Sequence, residues 1–121
     1  MEQMEIDCGM RSFQINDGGV LRFNPCDPNV YARFRQAVAD LEVLVSQMTG
    51  EDAFFRADKR LKEILAEVFG QHNDFDAILG GVNLLATAGN GRAVIFNLLE
   101  ALAPVLEQGA QDFVRSVTGH D

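Results

Sequence analysis

The apolar positions of this chain follow two rhythms. Between Arg11 and Phe23 they alternate: Arg11-Ser12-Phe13-Gln14-Ile15 interchanges polar and apolar residues, and Val20-Leu21-Arg22-Phe23 does so in part. The intervening Asn16-Asp17-Gly18-Gly19 tolerates the positive φ that a hairpin turn requires. The pattern predicts a β-hairpin near 11–24 and leaves room for an earlier strand around Glu5–Cys8. A two-stranded hairpin is marginal by itself, so it must lie on helices or join another subunit's sheet.

From Asp27 onward the spacing becomes helical. Asp27 is a good N-cap and Pro28 suits the first helical position, where its missing N–H costs nothing. One face then carries Val30, Tyr31, Phe34, Val38, Leu41, Leu44, Val45 and Met48, with Thr49-Gly50 as the stop. Glu51 and Asp52 favour the start of a second helix through its dipole. Its expected apolar face is Phe54, Ala57, Leu61, Ile64, Leu65 and Val68, with Gly70 as the C-cap. Phe75 to Leu106 is the longest nearly uncharged run, broken by Asp76, Arg92 and Glu100. It reads as the centre of the core: a short helix capped by Asn73 or Asp74 and ending near Gly80-Gly81, a turn at Gly89-Asn90-Gly91, then a long last helix. Pro104 should kink or restart that helix near Ala103. The expected fold is α+β, mainly α, as one domain over 1–121. The hairpin occupies about 4–24, a bundle of about four helices 27–114, and a frayed tail 115–121.

Length and composition fit that picture. A chain of 121 residues, 47% hydrophobic and 23% charged, is globular rather than disordered. It buries enough surface for a real core without staples. A net charge of −8 with scattered Lys and Arg argues against nucleic acid and anionic membrane as partners. No apolar run spans a bilayer, and the acidic start MEQMEIDCG does not resemble a signal peptide. The expected compartment is the cytoplasm. Cys8 and Cys26 flank the hairpin and are expected as free thiols.

Candidate chemistry is thin. His72, Asp74 and Asp76 are close in sequence, but no EF-hand register fits them, and a polar turn with a helix cap is the expected role. Gly89-Asn90-Gly91-Arg92 precedes a helix, yet lacks the Walker Lys and the dinucleotide spacing. Nothing fixes a triad among Cys8, Cys26, His72 and His120. No catalytic, metal or cofactor residue is assigned. Most of the nine Phe residues fall at core spacing, but Phe54 and Phe55 are adjacent and point about 100° apart on a helix. The two are not expected to enter the same core, and one of them is expected to face a partner.

Several stretches together carry a resemblance: Phe23-Asn24-Pro25 with Asp27-Pro28, Asp58 leading into Leu61–Phe69-Gly70, Phe75 to Asn83, and the Asn97-Leu98-Leu99 helix. In their order the chain resembles the small tail-assembly-chaperone-like proteins encoded beside the tape-measure gene in siphophages and prophages. It departs at Ala88-Gly89-Asn90-Gly91-Arg92, where family members tend to carry Ala-Asp-Gly with a Pro and a Trp. The resemblance implies a non-enzymatic, cofactor-free protein of the bacterial host cytoplasm that coats the tape-measure protein until tail-tube subunits assemble around it. The expected mechanism is helix-in-groove recognition through the Phe54–Val68 and Val94–Leu106 helices. Phe54, Phe55, Leu61, Leu98 and Leu102 are the expected contact residues. The hairpin could also pair edge to edge with a neighbouring copy, making a homo-oligomer. The alternative is a component that stays in the virion, such as a head–tail connector or minor tail protein.

Overall fold

A computed structural model describes residues 1–119. The fold is α+β, mainly α: β1 (Arg11–Ile15), β2 (Gly19–Phe23), α1 (Pro28–Ser46), α2 (Ala53–Phe69), α3 (Phe75–Ile78) and α4 (Val94–Thr118). β1 and β2 form one antiparallel pair in the register Arg11↔Phe23, Phe13↔Leu21, Ile15↔Gly19. Asn16 takes a positive φ of 53° in the turn, as Asn does most readily among non-glycine residues. The alternation puts Phe13, Ile15, Leu21 and Phe23 on the face that meets the helices. Residues 5–8 form no strand. They have no neighbouring backbone to pair with, and the chain turns at Gly9 (φ +75°), where the Asn24 side chain holds the Cys8 carbonyl at 2.9 Å.

Asp27 caps α1 through the N–H of Asn29 (2.9 Å), with Pro28 inside the first turn as expected. α1 packs against both α2 and α4. The core is richest in aromatic side chains where the hairpin, α1, α2 and α3 converge. The Phe69 ring lies 4.8 Å from Phe23, 6.3 Å from Phe34 and 5.9 Å from Phe75, and Phe13 stacks on Phe23 at 5.1 Å. Such pairs add roughly 0.5–1.5 kcal/mol each to their area burial. The centre is therefore shared between the hairpin and three helices, and is not confined to the Phe75–Leu106 run.

Two glycines set the closest approaches. A Cβ on Gly19 would stand 2.0 Å from the Ile78 carbonyl oxygen, and one on Gly109 would stand 1.8 Å from that of Pro25. The first lets α3 sit against β2. The second lets α4 press on the loop before α1.

α4 departs from expectation in two ways. It runs unbroken through Pro104, which lies on the exposed side, so the Glu100 carbonyl that loses its N–H partner can take water instead. The helix also continues to Thr118, past the expected end of the bundle at 114, and closes at Gly119 in the left-handed conformation. The rest of the expected tail, His120 and Asp121, lies outside the described residues.

Candidate functional site

The second helix begins one residue off the expected face. Ala53 is the inward residue of its first turn, followed by Ala57, Leu61, Leu65, Val68 and Phe69. Phe54 and Phe55 are consequently both turned outward, 53% and 72% exposed. The other three expected contact residues are inside: Leu61 is 1% exposed, Leu98 8% and Leu102 5%. They are occupied in holding the helices together, so of the five only Phe54 and Phe55 offer surface. The physical reason is angular. A 100° step per residue lets only one of positions 53, 54 and 55 share the Ala57–Leu61 stripe, and the chain spends that place on the smallest side chain.

Ala53 and Arg56, the neighbours of this pair, line a hollow between α1 and α2 together with Leu44 and Met48. Sharing Leu44, Gln47 and Arg60 with it, a larger cleft of about 500 Å³ runs up the same seam over Ala37, Val43, Ile64 and Val68. Its rim is polar, with Arg33, Asp40 and Glu67. Arg33 donates through two guanidinium nitrogens to the Val68 carbonyl at 3.2 and 3.1 Å, tying α1 to the last turn of α2. Val43 is 55% exposed and was not among the expected contact residues. Its signal in the sequence is that it falls off the Leu41–Leu44–Val45–Met48 stripe.

The polar turn after α2 does structural work that its residue types conceal. Asn73 is 3% exposed. Its Oδ1 accepts from the Arg22 N–H at 2.9 Å, and its Nδ2 donates to the carbonyls of Arg22 (2.9 Å) and Phe69 (3.1 Å). One side-chain amide thus stands in for the peptide of a third strand along the outer edge of β2. His72 adds its Nε2 at 2.8 Å from the same Arg22 carbonyl. Asp74 caps α3 through Ala77 N–H at 3.2 Å. Asp76 instead pairs with Lys62, at 2.6 Å.

Lys62 is the most constrained charge described. Its ammonium donates to Asp58 (3.0 Å), Asp76 (2.6 Å) and the Val82 carbonyl (2.9 Å) with only 11% of the side chain exposed. Burial works to lower its pKa, but the hydrogen bonds to Asp76 and Asp58 outweigh it and the net shift is upward from 10.5. Asp58 turns its other oxygen to the Leu84 N–H at 2.8 Å, so the cluster ties α2 to the loop that buries Leu84.

Gly89 to Arg92 forms the tip of a small returning loop. Ala88 N–H bonds the Arg92 carbonyl at 2.7 Å and Thr87 bridges to Ala93. The same loop supplies the Ala86 and Leu84 carbonyls to the first N–H groups of α4, those of Val94 and Ile95, at 2.9 and 2.8 Å. A side-chain N-cap is therefore unnecessary, and these donors are already engaged rather than aimed at an anion. Arg92 pairs with Glu100 along the helix. Cys8 is an exposed free thiol and Cys26 a half-buried one. No described helix is long and apolar enough to cross a membrane.

In comparisons with families of known proteins, with curated proteins and with solved structures, nothing matches this chain.

Proposed function

We propose that the protein is a phage or prophage morphogenesis protein, a tail assembly chaperone that shields the apolar stripes of a tape-measure protein. The observation that carries this reading is the exposed Phe54–Phe55 pair in the first turn of α2. Two adjacent aromatic side chains in water at a helix start are costly unless a partner covers them. An amphipathic client helix could lay its apolar residues against the exposed rings of Phe54 and Phe55. The net charge of −8 would keep the resulting complex soluble. Leu61, Leu98 and Leu102 act only by holding the seam in shape.

The test is co-expression with a tape-measure protein followed by size exclusion with light scattering. Co-elution and a more soluble client are expected, and Phe54→Asp with Phe55→Asp should abolish both while leaving the monomer folded. A protein that ignores the client, or that is found in purified virions, would overturn the chaperone reading. The second result would favour a structural component of the particle.

A further inference from the structure

The two edges of the hairpin are treated differently. Arg22 sends both its N–H and its C=O away from β1, into Asn73. In an antiparallel ladder its partner Ser12 then points its own N–H and C=O the opposite way, and Gln14 does the same two residues later. No side-chain amide of the Asn73 kind meets Ser12 or Gln14 among the described residues. β1 is a free edge without proline, and the arm before it turns aside at Gly9 rather than folding across it.

The apolar cover is unequal in the same sense. On β2 the inward side chains Leu21 and Phe23 are 0% and 1% exposed, whereas Phe13 and Ile15, on the same face of β1, are only half-buried. The charges at the two ends of β1 also differ. Arg11 opens the strand with its guanidinium over the Phe13 ring and no carboxylate partner among the described residues, and Asp17 sits exposed in the turn that follows it.

We propose that β1 pairs antiparallel with β1 of a second copy of this chain, giving a four-stranded sheet in the order β2-β1-β1′-β2′ across a two-fold axis near Phe13. This register matches Ser12 with Gln14 of the mate, so that their outward N–H and C=O groups bond one another. It sets Phe13 against Phe13 of the mate, closing the half-covered part of the core. It also brings each Arg11 beside the other copy's Asp17 turn, a complementarity that a parallel arrangement would not give. Because Asn73 already holds the Arg22 N–H and C=O on the outer edge of β2, only Val20 offers free groups there, too short a run to pair, and the assembly closes at two copies.

Sedimentation velocity over a concentration series tests this on the full chain. A monomer–dimer equilibrium is expected. Ser12→Pro, which deletes only an outward-facing N–H, should leave a monomer with an unchanged circular dichroism spectrum. Asp17→Arg, in the exposed turn and so harmless to the fold, should weaken the dimer by about tenfold. The double variant R11D/D17R should restore it, since the swapped charges meet only between copies. A chain that stays monomeric, a dimer indifferent to Ser12→Pro and to the charge swap, or growth beyond two copies would each overturn the proposal. Indifference would place self-association on another face, such as Phe54–Phe55.

Discussion

The two ends of α2 place the same residue type in opposite surroundings. At the C-terminal end Phe69 is 3% exposed and lies against three other aromatic rings. At the N-terminal end Phe54 and Phe55 stand 53% and 72% exposed. Helix propensity and side-chain chemistry are the same at both ends. What differs is the company: the hairpin, α1 and α3 converge on Phe69, while only the open seam of α1 lies near the first turn. A phenylalanine in a helix stabilises the fold only where tertiary neighbours remove it from water. Where they do not, its apolar surface is left for a partner.

The comparison breaks most sharply with truncation. Phe69→Ala should cost about 3–5 kcal/mol by chemical denaturation, because it removes the ring at the junction of four elements and leaves a cavity. Asn73→Ala comes next, at about 2–4 kcal/mol in the same measurement. It leaves the Arg22 N–H and C=O and the Phe69 carbonyl without their shared partner at the Phe69 end of the helix.

Lys62→Met should cost about 1–3 kcal/mol at pH 7, since it leaves Asp58 largely buried without its cation. The pH dependence has a definite sign. A lysine whose folded pKa lies above its ordinary value stabilises fully below that ordinary value, 10.5, and the contribution is lost as pH rises through the raised folded value. The gap between wild type and Lys62→Met should therefore be constant across neutral pH and narrow as pH rises into strong alkali. A gap that closed near neutrality would remove the cluster as the cause.

The smallest effect belongs to the other end of the helix. Phe55→Ser should change stability by no more than about 0.5 kcal/mol while lowering client capture. A large loss of stability there would mean that the ring is buried, and the contrast between the two ends would fail.

Much of the architecture was legible before any coordinates. The hairpin, the Asp27–Pro28 helix start, the stop at Gly70 and the turn before α4 follow from local rules, because each depends on backbone conformation within a few residues. The contact residues were less legible. Phe54 was expected on the stripe and lies off it, since a one-residue rotation of a helix is invisible when Ala53, Phe54 and Phe55 are all apolar. Pro104 was expected to kink or restart α4, and the helix does not restart there, because the proline's cost depends on whether the orphaned carbonyl faces water, and periodicity does not report that. Asn73 read as a turn residue because its partners, at Arg22 and Phe69, are set by how the hairpin docks.

The sequence alone determined the two rhythms of apolar residues and the signals that start and stop the elements, and hence an α+β chain that is mainly helical. Only the tertiary structure decided which phenylalanines are core and which are surface, that Asn73 closes one edge of the hairpin while the other stays open, and that Gly19 and Gly109 are points of contact. Secondary structure is governed by neighbours along the chain, whereas burial, edge pairing and close approach depend on residues dozens of positions away.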